Sequence, residues 1–140
     1  MTISGERVQQ ILGLKPTGEG MAGLALAVEK GLPRSALERA VSRAGLTGKA
    51  RDALMNRVVP LATFKRRTRL KQHEGEKTER LARVIALAEL LWDDTAAAQQ
   101  FLNTPHPELA GRTPLEASGS EIGARQFEDI VMRALHGLPV

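Results

Sequence analysis

The sequence predicts an all-α fold on three observations. Apolar residues recur at three- and four-residue spacing along nearly the whole chain. No period-two alternation of Val, Ile or Thr runs beyond a few residues, and no hairpin signal separates two such runs. At 140 residues, the chain can build one domain or two small ones around a modest core. With 3% aromatic residues and no Tyr, that core is expected to be aliphatic.

The elements follow in order. Residues 4–12 form a short helix with Val8, Ile11 and Leu12 on one side, stopped by Gly13, and LKPTGEG follows as a loop. Residues 19–30 place Met21, Leu24, Ala25 and Val28 at helical spacing and end at Gly31. Pro33 is tolerated in the first turn of the next helix, whose Leu37, Ala40, Val41 and Ala44 continue an apolar stripe to Gly45. Thr47 can cap a further helix through Arg57; after a break at Val58-Val59-Pro60 comes LATFKRRTRLK, with Leu61, Phe64 and Leu70 inward. Thr78 or a neighbour starts the strongest helix, with Leu81, Val84, Ile85, Ala88, Leu91 and Trp92 as its stripe. Asp94 or Thr95 caps a short piece ending at Phe101 and Leu102. The polar stretch QHEGEK, residues 72–77, reads as the boundary between a domain of residues 1–75 and one of residues 76–140.

The densest punctuation is FLNTPHPELAGRTPLEASGSEIGARQFEDIV, residues 101–131. Asn103 can close a helix in the left-handed conformation, Pro105 and Pro107 hold their neighbours extended, and Gly111 permits a sharp bend. Thr113-Pro114-Leu115-Glu116 fits a capping box with Pro at the first helical position. Ser120 launches the last helix to His136, with Phe127, Ile130, Val131, Ala134, Leu135 and Leu138 as its stripe and Gly137 as its stop. Local physics leaves Arg112 open: a surface cation, a hydrogen-bonded strut of the link, or a contact to a partner.

Candidate chemistry is sparse. The chain has no Cys, which excludes disulfides and thiolate sites and suits a reducing cytosol. No apolar run approaches the roughly 20 residues of a spanning helix, and MTISGERVQQ carries no secretory signal, so a cytoplasmic protein is expected. His73, His106 and His136 stand apart with no metal-ligand spacing, Asp93-Asp94 suits capping better than acid–base work, and no Gly-rich phosphate loop or nucleophile motif is present. Neither enzyme activity, nor a metal, nor a cofactor is expected.

Charge is more informative. Residues 1–75 hold 14 Lys/Arg against 6 Asp/Glu, whereas residues 76–140 hold 6 against 10. Such a split suits a polyanion for the first part and a different partner for the second. Lys65, Arg66, Arg67, Arg69 and Lys71 put five cations in seven residues, preceded by a short helix, a tight break at Val58-Val59-Pro60, and Leu61 and Phe64 as anchors; this resembles a helix-turn-helix whose second helix carries the run into the major groove. In that geometry Thr63, Lys65, Arg66 and Arg67 meet base edges or phosphates, and Arg69 and Lys71 the backbone.

The stretch from Phe101 to Val140 resembles the C-terminal toxin-binding region of the Xre/MbcA/ParS antitoxins, in which a helix precedes a segment of the form LxTPNPxLGGRTPLE, then an acidic residue, GA and a final helix. TERLARVIALAELLW resembles the preceding helix of that family, and GLPRSALERAV its N-terminal part. The chain departs from the pattern at His106, where Asn is usual, at Ala110, where Gly is usual, and at ASGS in 117–120. The resemblance implies an Xre-like helix-turn-helix bundle followed by a small helical toxin-binding domain. It implies the antitoxin of a type II pair whose partner is a RES-domain toxin that consumes NAD or transfers ADP-ribose from it. The antitoxin would block the toxin's active site, repress the shared operon as a homodimer, and enter higher-order toxin–antitoxin complexes. Asn103, Pro105, Arg112, Thr113, Leu138, Pro139 and Val140 are the toxin contacts this implies. A stand-alone helix-turn-helix regulator is the alternative.

Overall fold

The computed structural model describes residues 3–15 and 18–137, and within these it forms nine α-helices and no strand. They are α1 (Gly5–Ile11), α2 (Met21–Lys30), α3 (Arg34–Arg43), α4 (Gly48–Val58), α5 (Leu61–Phe64), α6 (Gln72–Leu91), α7 (Thr95–Leu102), α8 (Pro114–Ala117) and α9 (Glu121–Leu135), with a 3-10 turn at Pro107–Leu109. The expected all-α fold is thus observed.

Helix α6 organises the rest. Leu81, Ala82, Val84, Ile85, Ala86, Leu87 and Ala88 are all buried, and a helix apolar all round must be covered all round. The helices α1, α2 and α3 pack on it, and so do α7, α8 and α9. One aliphatic core therefore runs through the molecule, with Phe127 its largest fully buried side chain.

The starts are capped much as the sequence suggests. Ser4, Asp94, Thr113 and Ser120 each accept a backbone N–H three residues on, at 3.2, 3.0, 3.0 and 2.9 Å. Thr47 is the N-cap of α4 but makes no such bond. The capping box forms as expected, with Glu116 accepting the Thr113 N–H at 2.9 Å.

Four expectations need correction. The long helix begins at Gln72, so QHEGEK is its opening and the border drawn at 75/76 falls inside it. Gly75 is buried there, and a Cβ would lie 3.3 Å from Val28; this glycine serves close packing against α2 and does not break the helix. In α2 the inward residues are Gly23, Leu24 and Val28, leaving Met21 and Ala25 exposed. At the two helix ends Trp92 and Leu135 are exposed, because the cover stops at Ala88 on α6 and at Val131 on α9. Leu138 lies outside the described residues.

The start of α9 is pressed against the end of α8. A Cβ on Gly123 would sit 2.1 Å from the carbonyl oxygen of Ala117, so no larger residue fits without moving the helix. From α6, Arg80 donates to the carbonyls of Ser118 (3.0 Å) and Gly119 (3.3 Å), and Arg83 makes a two-point bond to Glu121 at 3.0 and 2.7 Å. Helix α9 is thereby fixed along α6.

Candidate functional site

Two surfaces carry the residues selected from the sequence. The first begins with α4 and α5, which are joined by Val59-Pro60. The Asn56 side chain accepts the Leu61 N–H at 3.1 Å, and Phe64 anchors α5 in the core. This is the expected helix-turn-helix, but its second helix is a single turn. Pro60 supplies its N-cap, and after Phe64 Lys65 keeps right-handed helical geometry as the C-cap before the chain turns out of the helix at Arg66 and Arg67.

The basic run is consequently not on a helix. Lys65 and Arg66 lie in a turn and Thr68 in a bend, after which Arg69 pairs antiparallel to Pro33 and Lys71 is extended. Leu70 is buried and donates its N–H to the Leu32 carbonyl at 2.7 Å. Lys65, Arg66, Arg69 and Lys71 are exposed, whereas Thr63 and Arg67 are half-buried. Arg67 turns inward, donating from Nε and a terminal nitrogen to the two oxygens of Glu74, both at 3.1 Å. Burial pushes the Glu74 carboxyl up, but the Arg67 pair and the Lys71 N–H (2.8 Å) outweigh it and hold it below the usual carboxylate range.

Arg34, which the sequence reading did not select, stands over the Phe64 ring at 5.6 Å and donates to the Lys65 carbonyl at 3.2 Å. Its signal lay in position: it sits just past Pro33, opposite the basic run. Together with Arg51, Lys65, Met55 and Leu61 it lines a cleft beside α5.

The second surface is the proline-spaced link. Asn103 is not left-handed (φ −105°); its side chain instead ties the end of α7 to the first half, donating to the carbonyls of Gln99 (2.8 Å) and Ala44 (3.3 Å). Pro105 is exposed. Pro107 does not extend the chain but opens the 3-10 turn, which Ala110 (φ 57°) and Gly111 (φ 79°) close in left-handed geometry. The His106 ring nitrogen Nδ1 accepts the Glu108 N–H at 3.1 Å. An Asn at this position would offer its amide oxygen in the same role, which accounts for the exchange.

Arg112 is a strut of this link. Its Nε donates to the Leu109 carbonyl and a terminal nitrogen to Gln126 on α9, both at 3.0 Å, while its own carbonyl accepts the His106 N–H. Arg133 on α9 reaches Glu108 at 2.5 Å. Beneath the link, Phe101 meets Trp92, His106 and Phe127 at ring-centre distances of 5.9, 6.5 and 5.8 Å. Sequence reasoning placed Trp92 in the core and missed that it is 43% exposed at this edge. Thr113 is spent on its cap, and Leu138, Pro139 and Val140 lie outside the described residues.

The remaining site residues are brought together only within each surface. Among the described residues no cluster of His, Asp and Glu has the geometry to hold a metal, and no helix is long and apolar enough to cross a membrane. What the two surfaces offer is recognition: exposed cations on a pinned arm, and a rigid, hydrogen-bonded loop flanked by an exposed indole.

Comparison with known proteins gives two family matches that meet within α6. Residues 23–83 match the family model of the antitoxin Xre-like helix-turn-helix domain, and residues 86–137 that of the antitoxin Xre/MbcA/ParS C-terminal toxin-binding domain. The chain is also 25% identical over 114 residues to a protein named Antitoxin Xre from Pseudomonas putida strain KT2440, covering 79% of this chain and 69% of that protein.

Proposed function

We propose that this chain, which belongs to the Xre/MbcA/ParS antitoxin family and carries both its helix-turn-helix and its toxin-binding domain, is the antitoxin of a type II pair with a RES-domain toxin. It acts by binding and not by catalysis. Residues 86–137, with the proline-spaced link and the residues after α9, cover the toxin's active site and stop it consuming NAD or transferring ADP-ribose. The helix-turn-helix and its basic arm repress the shared operon, the chain working as a cytoplasmic homodimer, since such repressors commonly pair on two half-sites.

The observation that carries this reading is the bracing of the link. Its loop is fixed at both ends by Arg112 to α9 and by Asn103 to the first half, so it is presented without the ordering cost a loose loop would add to binding. The excess of acidic residues in this half complements a pocket shaped for the phosphates of a dinucleotide.

The test is NAD consumption by the purified product of the adjacent gene, with and without an equimolar amount of this chain. Loss of consumption on mixing, with a stable complex on gel filtration, is the expected outcome. Undiminished consumption in the mixture overturns the RES assignment.

A further inference from the structure

The five cations between Lys65 and Lys71 are not equivalent, and the difference assigns a role to a residue outside the run. Residues 65–71 are stitched to the rest of the molecule along both sides. Toward the α2–α3 turn, the Leu70 N–H reaches Leu32, the Arg69 guanidinium reaches the Gly31 carbonyl at 2.9 Å, and Arg34 reaches the Lys65 carbonyl. Toward α6, Glu74 takes both bonds of Arg67 and the N–H of Lys71. Glu74 is almost wholly buried, with 4% of its side chain exposed. A buried carboxylate bonded twice by one guanidinium and once by the backbone is a fixed point, and it sits between the two ends of the basic segment.

We propose that residues 65–71 form a rigid arm that grips the phosphate backbone of duplex DNA beside the groove entered by α5. In this arm Lys65, Arg66, Arg69 and Lys71 are the phosphate contacts, and Arg67 with Glu74 is the brace. Arg67 is thereby withdrawn from the DNA contacts, and Glu74, a carboxylate buried beneath the arm, becomes a positioning residue for binding. The proposal rests on the DNA-binding half of the function proposed above. It departs from a simple reading of charge, in which every cation attracts DNA and every carboxylate repels it.

The test is binding of the full chain to the duplex upstream of its own reading frame, and to an unrelated duplex of equal length, measured across salt concentrations. Each of Lys65→Ala, Arg66→Ala, Arg69→Ala and Lys71→Ala is expected to shallow the salt dependence by about 0.9 in log–log slope, the share of one phosphate. Arg67→Ala and Glu74→Gln are expected to weaken binding roughly three- to tenfold at every salt concentration, the cost of ordering a loosened segment on binding, with the slope unchanged. Amide exchange at Leu70 should quicken in both. Arg67→Lys keeps the charge and loses the two-point bond, so it should behave as Arg67→Ala; this milder variant decides the matter if helix content shows that Glu74→Gln does not fold. Tighter binding by Glu74→Gln, or a wild-type-like Arg67→Lys beside an Arg67→Ala of shallower slope, overturns the proposal. Absence of salt-dependent binding by the wild type to either duplex removes the DNA reading itself, and the arm with it.

Discussion

In residues 76–137 all the arginines but the exposed Arg125 are hydrogen-bonded into the fold, whereas along residues 65–71 four of five cations face solvent and only Arg69 among these four spends a bond on the fold, to the Gly31 carbonyl. Arg80 and Arg83 clamp α9 onto α6, Arg112 braces the link, Arg133 ties α9 to the 3-10 turn and Arg125 lies 3.6 Å from Glu121. Lys65, Arg66, Arg69 and Lys71 meet no carboxylate among the described residues. The lesson is that a charge tally separates the halves by sign, but only the bonding separates cations that hold the structure from cations available to a partner.

Breaking the arm is expected to have the largest effect. Replacing Lys65, Arg66, Arg69 and Lys71 together by Ala should reduce affinity for the upstream duplex on the order of a thousandfold at moderate salt, since four phosphate contacts disappear, while stability falls only by the Arg69 bond to the Gly31 carbonyl, about 1 kcal/mol. A much larger fall in melting temperature would mean that Lys65, Arg66 and Lys71 are struts as well.

The core common to both halves comes next. Phe127 is fully buried against Phe101, and Phe127→Ala should cost about 3–5 kcal/mol in denaturant unfolding. Because α6 is packed by helices of both halves, the loss should appear as one cooperative transition. Two separate transitions would show that the halves fold independently.

Arg83 offers the sharpest contrast with the arm. It lies between Glu79 and Glu121, and its Nε is 3.2 Å from Glu79 yet out of line for a hydrogen bond, so both atoms are buried and unsatisfied. Arg83→Ala strands the largely buried Glu79 and should cost about 2 kcal/mol, against less than about 0.5 kcal/mol for Lys65→Ala. The same cluster sets the acid response. The bond from Arg83 holds Glu121 below the usual carboxylate range, and the Thr113 N–H holds Glu116 there. Their stabilisation is complete above about pH 4.5 and is lost as pH falls through the lowered values. Burial raises Glu79 instead, so it contributes with the opposite sign, favouring the fold as pH drops through its raised value. Urea unfolding of the wild type and of Glu79→Gln and Glu121→Gln between pH 3 and 7 would resolve the two signs.

The smallest effect concerns Ala110, which occupies left-handed geometry at φ 57°. Ala110→Gly removes that strain and should stabilise the fold by about 1 kcal/mol in thermal unfolding. A destabilisation would mean that the methyl group packs usefully enough to offset the strain.

Much of this was legible in the sequence because its signals are local. The starts at Asp94, Thr113 and Ser120, and the buried faces of α3 and of α9 as far as Val131, follow from spacing and turn chemistry alone, whereas Ser4, read as part of the first helix, is its cap. The proline link was found as a feature, but its inner form was not. Asn103 spends its amide on Ala44 in a distant part of the chain, and the left-handed positions fell on Ala110 and Gly111, the first of which carries a Cβ that this geometry strains. QHEGEK read as a linker because Gly75 and five polar neighbours look like a break; only the approach of Val28 explains a buried glycine inside a helix. The basic run stood out in the sequence by its density of cations, but that Arg67 alone among them turns inward depends on Glu74, whose burial is a tertiary fact.

The most direct test of the account is growth of cells that express the adjacent gene's product, rescued either by the wild-type chain or by the variant lacking the four exposed cations of the arm. The account predicts equal rescue by the two, because the surface that meets the toxin is not the one that meets DNA. Rescue by the wild type alone would contradict the division of labour between the halves, and rescue by neither would contradict the antitoxin reading itself.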